Sequence, residues 1–151
     1  MRIVEDTRQQ AGKHANKHRA FKDAGVKIIR SKLPFGDYAL APTVAVDTKQ
    51  DIKEIAGNMC GSAKEKARFR EECKLAQDSG CRLIILIEDP RLTTPADLIG
   101  RKVLLHTGRL IDGTQLARAM AVTSERYGVE FMFCDPEQTG KMIMELLTND
   151  N

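Results

Sequence analysis

Apolar positions in this chain come in short runs separated by longer charged stretches, and the spacing within each run assigns it to strand or helix. Arg2–Glu5 reads as a short first strand ending at Asp6. Residues 12–24 follow a helical pattern, and Gly25 is placed to stop that helix before a strand over 26–30. Gly36-Asp37 signals a turn ahead of a β-branched run at 44–48. Asp51 and Glu54 have the spacing of an N-cap and its capping-box partner, which opens a helix through about Met59. A highly charged helix, Ala63–Asp78, closes before Ser79-Gly80. The run CRLIILIED, residues 81–89, is the most apolar in the chain and predicts a strand buried on both faces.

Residues 90–113 carry a looser pattern and predict an excursion holding a short helix or ribbon. Thr114 is placed to cap a helix that reaches Tyr127 and ends at Gly128, and residues 129–134 predict another strand. Asp135-Pro136 signals the start of a last helix, because aspartate caps well and proline fits a first turn. The order is strand, helix, three strands, two helices, strand, excursion, helix, strand, helix. It predicts an α/β fold with a central mixed sheet flanked by helices on both sides.

Length and composition narrow the class. At 151 residues the chain is expected to be a single domain, 1–151, large enough to bury a real core. With 42% hydrophobic and 30% charged residues it has a globular rather than a disordered composition. No apolar run approaches a membrane span and the first residues, MRIVEDTRQQ, lack the apolar segment of a signal peptide, so a cytoplasmic location is expected. Cys60, Cys73, Cys81 and Cys134 form no C-x-x-C pair, which disfavours a zinc site or a disulfide framework and leaves buried thiols.

Charge adds a direction. The net charge of +3 is small, yet from Arg2 to Lys32 nine basic residues stand against three acidic ones, and Lys64, Lys66, Arg68, Arg70 and Lys74 form a second basic group. The last twenty residues lean acidic. One face is thus suited to a polyanion, while each cluster alone also reads as a solvated helix face.

Candidate chemistry centres on residues 35–54. Asp47 and Lys49 stand two apart in a strand and project from one face, with Val46 and Thr48 turned to the other; Asp37 reaches the same face from the turn. Two converging carboxylates suit a hard divalent cation such as Mg2+. A nearby lysine can orient or help deprotonate a water, or neutralise charge as a phosphodiester is attacked. The same Asp-x-Lys pair also describes the solvated face of an edge strand. His14 and His18 lie at helical i and i+4 spacing but lack the glutamate of H-E-x-x-H, so they read as an exposed polar pair without a catalytic role. Glu54 reads as a cap rather than a ligand.

Five pieces in order carry a family resemblance: Glu5-Asp6-Thr7-Arg8, Leu33-Pro34-Phe35-Gly36-Asp37-Tyr38, Val46-Asp47-Thr48-Lys49, Ala67-Arg68-Phe69-Arg70-Glu71-Glu72 and Leu83 through Asp89. Together they resemble the XPF-type nuclease domain, a branch of the PD-(D/E)XK superfamily with the restriction-endonuclease-like fold, from about Ile3 to Asp89 and weakly beyond. The chain departs from the family pattern in having Asp47 for a glutamate, Thr48 for an arginine, Gln9 for the glutamate of the first motif and Lys53 for an aspartate. Asp51 or Glu54 replaces that last carboxylate only if the backbone shifts.

The resemblance implies a metal-dependent DNA endonuclease acting on branched, flap, junction or otherwise non-duplex DNA. Asp37 and Asp47 would hold Mg2+ or Mn2+, with the Thr48 carbonyl as a third ligand. Lys49 would position the attacking water, and Asp6 would support the site or a second cation. Arg8 and Arg68, with Lys64 and Lys66, would contact DNA. A tandem helix-hairpin-helix domain has no room in this length. A homodimer or a partner protein is therefore expected, with exposed apolar residues on a late helix as its interface. A non-catalytic DNA-binding or scaffold subunit is the alternative from another class. A flavodoxin-like ligand domain also fits the alternation, but DTRQQAG stands where a glycine-rich phosphate loop would follow the first strand.

Overall fold

The structure, a computed structural model, describes residues 2–10, 12–33, 36–40 and 44–148. Pro34 and Phe35, part of the second resemblance piece, lie outside them. In chain order the elements are β1 (Arg2–Glu5), α1 (Ala15–Asp23), β2 (Lys27–Arg30), β3 (Tyr38–Leu40), β4 (Val44–Lys49), α2 (Ile52–Cys60), α3 (Ala63–Asp78) and β5 (Arg82–Ile87). They are followed by a 3-10 turn (Pro95–Leu98), β6 (Lys102–Leu104), β7 (Leu110–Asp112), α4 (Gly113–Tyr127), β8 (Glu130–Phe133), a second 3-10 turn (Pro136–Gln138) and α5 (Thr139–Thr148).

Six strands form one mixed sheet in the order β2-β1-β3-β4-β5-β8, and β6-β7 make a separate ribbon. The β1–β2, β4–β5 and β5–β8 pairs are parallel; β1–β3 and β3–β4 are antiparallel. The expected mixed sheet with helices on both sides is what forms. Strand alternation divides the core. Val44, Val46, Ile84 and Leu86 pack with Phe21 of α1 and with Ile143 and Leu147 of α5. Ala45, Leu83, Ile85 and Ile87 turn the other way, onto Ile55, Phe69, Leu116 and Met120 of α2, α3 and α4. Each fully buried aliphatic side chain contributes roughly 1.5–3 kcal/mol, so the central strands β4 and β5 anchor both layers.

Several element ends differ from the sequence reading. Residues 12–14 form turns and α1 begins at Ala15, because the side chain of its N-cap, His14, makes no capping bond. Asp112 rather than Thr114 caps α4, accepting from the Thr114 N–H at 3.0 Å, so the last ribbon residue also starts the helix. Asp135 does cap, but what it caps is the 3-10 turn ahead of α5. Asp51 accepts from the Glu54 N–H at 3.0 Å as expected, whereas Glu54 reaches back to the Gln50 N–H at 3.1 Å, one residue short of the N-cap. Among the described residues no helix is long and apolar enough to cross a membrane. All four cysteines are free; three are buried and Cys134 is half-buried.

Candidate metal and nucleic-acid site

The turn before β3 is held by backbone geometry. Gly36 has φ +71°, and a Cβ there would stand 3.1 Å from the Ala45 Cβ, so the position favours glycine sterically as well as conformationally. Its N–H donates to Glu72 Oε1 of α3 at 3.0 Å, and the Asp37 N–H donates to the Val46 carbonyl at 2.8 Å. Asp37 is thereby fixed beside the end of β4. Its Oδ2 accepts from both the Thr48 N–H, at 2.6 Å, and the Thr48 hydroxyl, at 2.9 Å. Thr48 is therefore tied to Asp37 and does not simply face away from the acidic cluster.

Asp47 projects from β4 toward α3, on the face that Ala45 shares with α2 and α3. Lys49 follows two residues later, with Nζ 3.4 Å from Asp47 Oδ2. Asp47 interacts electrostatically with the Asp37 carboxylate on one side and with Glu72 on the other. Like charges this close oppose each other's ionisation, so the titrations of Asp37 and Asp47 are coupled. Burial first, then the Asp47 charge, pushes Asp37 up to about 7, against the opposing Thr48 N–H. Burial likewise pushes Asp47 up to about 7, with Lys49 opposing and Glu72 adding to the rise. Burial alone would lower the pKa of the Lys49 ammonium. The carboxylates of Asp47, Glu72, Glu54 and Asp37 outweigh it and hold that pKa above the ordinary lysine value.

Six of the residues singled out in the sequence, Asp6, Arg8, Asp37, Asp47, Lys49 and Arg68, line one cleft of about 450 Å³. Asp6 is buried, pairs with the Arg8 guanidinium and accepts from the Leu33 N–H at 3.3 Å. It orients Arg8 at the rim. Arg68 enters from α3, one helical turn before Glu72. Lys64 is exposed near the start of α3, and Lys66 lines a separate cleft between α2, α3 and α4. The structure does not bring those two lysines to the carboxylates.

Glu72 is the site residue that pattern reasoning assigned no role. Its sequence signals are its place at the end of the fourth resemblance piece and the i, i+4 relation to Arg68, which puts both on one helix face. The histidine reading is corrected: His18 bonds the buried Glu5, and His14 Nδ1 lies 2.8 Å from Lys17 Nζ, so neither is a free surface side chain. Asp51 and Glu54 stay in the α2 cap.

Donor chemistry fits Mg2+ or Mn2+. Asp37, Asp47 and Glu72 offer hard oxygens, and the raised proton affinity of Asp37 and Asp47 marks negative charge that a cation would relieve. In this structure Asp37 Oδ2 accepts from Thr48 and Glu72 Oε1 from the Gly36 N–H, and the carboxylates do not surround one point. Among the described residues no three His, Cys, Asp or Glu are arranged to hold a metal.

The fold is shared with XPF from Aeropyrum pernix, with a TM-score of 0.69 at 23% identity, covering 97% of this chain and 63% of that one. A structure of XPF from Aeropyrum pernix in complex with DNA gives a TM-score of 0.67 at 21% identity, covering 97% of this chain and 62% of that one. This chain thus spans less than two thirds of those proteins. No curated protein matches it. The ERCC4 domain matches residues 5–146, and the chain belongs to that family.

Proposed function

We propose that this protein is a Mg2+- or Mn2+-dependent DNA endonuclease acting on branched or otherwise non-duplex DNA. The observation that carries this reading is the convergence of Asp37, Asp47, Glu72 and Lys49 in one cleft with Arg8 and Arg68 at its rim. A DNA complex of the similarly folded XPF supports DNA as the ligand class.

Asp37 and Asp47 would hold the cation. Thr48 would add its carbonyl, which in an extended strand turns to the same side as the N–H bonded to Asp37. Bound there, a divalent cation supplies Lewis-acid polarisation of the phosphodiester and a more acidic water. Lys49 acts as a fixed positive charge: held cationic by its neighbours, it orients the attacking water and offsets charge developing on phosphorus, and it does not serve as the base. Asp6 supports the site by fixing Arg8. Arg8 and Arg68 contact phosphates on either side of the scissile bond, and binding weakens steeply with salt. Lys64 and Lys66 extend the basic surface of α3 away from the cleft.

The test is incubation with single-stranded, duplex, flap and four-way DNA, with and without Mg2+ or Mn2+. Metal-dependent cleavage that favours branched substrates is the expected result. Binding without cleavage in either metal would replace this reading with the non-catalytic subunit.

A homodimer or a partner protein completes the grip on a branched substrate. Val122, 48% exposed on α4, marks the late-helix surface for that contact.

A further inference from the structure

Beyond the Arg8 side of the cleft, a run of hydrogen bonds crosses three elements and ends on a histidine. Thr139, fully buried at the start of α5, donates its hydroxyl to Glu88 Oε1 at 2.6 Å. Glu88 Oε2 accepts from Lys17 Nζ of α1 at 3.3 Å, and the Lys17 side chain is only 5% exposed. Lys17 Nζ also lies 2.8 Å from His14 Nδ1.

An ammonium has three donors and no acceptor. Nδ1 must therefore accept, which leaves the neutral imidazole with its proton on Nε2. Burial, then the Lys17 charge, lowers the His14 pKa from its ordinary value, with Glu5, Glu88 and Asp37 opposing, so the neutral form is the one present at neutral pH. Nε2 has no hydrogen-bond partner among the described residues.

His14 lines two adjoining clefts. One, of about 310 Å³, includes Lys13, Gln50 and Glu88. The other, of about 170 Å³, includes Arg8, Gln9 and Thr48, and shares Arg8 and Gln9 with the Asp37–Asp47 cleft. A donor between Lys13 and Arg8 suits a phosphate oxygen. The nearby acids do not oppose it strongly: both Glu88 oxygens are occupied and its charge is matched by Lys17, and Glu54 is engaged by the Gln50 N–H.

We propose that His14, held in its Nε2–H tautomer by Lys17 and Glu88, donates a hydrogen bond to a backbone phosphate of the nucleic-acid strand next to the Asp37–Asp47 cleft. The identity of that ligand rests on the DNA reading above. His14 makes the contact; Lys17 is a positioning residue.

The full chain labelled with 15N-histidine and kept in chelator tests this without any cleavage step. His14 should show an unprotonated Nδ1 and a protonated Nε2, and a single-stranded thymidine oligonucleotide should shift the Nε2 signal. Inorganic phosphate at matched ionic strength should not. By fluorescence anisotropy in chelator, His14→Ala should weaken oligonucleotide binding about tenfold, the loss of one hydrogen bond to a charged group. His14→Gln, whose amide nitrogen sits near the Nε2 position, should stay within about twofold of wild type, and His14→Asn, which mimics Nδ1, should resemble alanine. A proton on Nδ1, a signal the oligonucleotide leaves in place, a shift reproduced by phosphate alone, or unaltered binding by His14→Ala would each overturn the proposal. Wild-type protein that binds the oligonucleotide but never cuts DNA would end the nuclease reading and leave this one standing. A metal-dependent nuclease whose His14→Ala variant binds normally would do the reverse.

Discussion

Asp37 and Lys49 separate two kinds of site that look alike in outline. Asp37→Asn keeps the size of the side chain and removes the charge that a divalent cation needs, and it leaves in place the phosphate contacts proposed for Arg8 and Arg68. Cleavage should be lost with DNA affinity within a few fold, as measured by nuclease assay and anisotropy on the same preparation; unaltered cleavage would exclude Asp37 as a ligand. Lys49→Ala asks a different question. If its ammonium acts on the water or on the developing phosphorane charge, single-turnover cleavage at saturating Mg2+ should slow by a factor on the order of 10^2 or more. Metal affinity, followed by calorimetry, should hold or rise, because a positive charge beside the carboxylates has been removed. A near-wild-type rate would make Lys49 only a partner of Asp47, whose Oδ2 lies 3.4 Å away.

At the scale of elements, the α1–α5 contact is set by a missing side chain. A Cβ on Gly140 would fall 2.6 Å from the Ala20 Cβ and 3.0 Å from the Lys17 carbonyl, and neither atom lies at the end of a flexible chain. Gly140→Val should destabilise the fold by about 1–3 kcal/mol through overpacking, and Ala20→Gly should recover part of that in the double variant, read by denaturant melts. Such close approaches leave almost no trace in a sequence. What was legible was local: the alternation of β4, the doubly buried run of β5 and the caps at Asp51 and Asp135 each depend on neighbours in the chain. The Asp37–Asp47–Lys49 grouping was legible because a turn and one strand suffice to assemble it. Glu72 was not, since it meets Asp47 only once α3 has packed across the sheet. The histidines were misread because their surroundings form only on packing: His18 meets Glu5 of β1, and the Lys17 beside His14 is held by Glu88, 71 residues away. The start of α4 was displaced because a ribbon strand ends directly in the helix cap, a join that residue preference alone does not distinguish.

For the whole molecule, assembly and pH dependence both follow from where charge and apolar surface lie. A dimer, or a complex with a partner protein, should be the active species, and light scattering that finds a fully active monomer without any partner would refute this. Stability should report the acidic cluster independently of catalysis. Asp37 and Asp47 have folded pKa values pushed up to about 7, well above the unfolded range near 4. A raised carboxyl pKa contributes stability that is fully present below the unfolded value and is lost as pH rises through the folded one. Without metal, the cluster should therefore favour the folded state near pH 4–5 and oppose it by pH 8, a swing on the order of a few kcal/mol. Other carboxylates act with the opposite sign, Asp89 for example, whose hydrogen bonds with Arg91 hold its pKa below the ordinary value. The informative quantity is accordingly the difference in melting temperature between wild type and Asp37→Asn, measured from pH 5 to pH 8 in chelator. Wild type should lose several degrees more than the variant across that window. If Mg2+ or Mn2+ binds only the folded state, as proposed, either ion should restore wild type at pH 8, do less at pH 5 where protons compete, and leave Asp37→Asn nearly unmoved. Parallel pH profiles for the two proteins would place the cluster's charge outside the folding equilibrium and remove the electrostatic basis for a cation between Asp37 and Asp47.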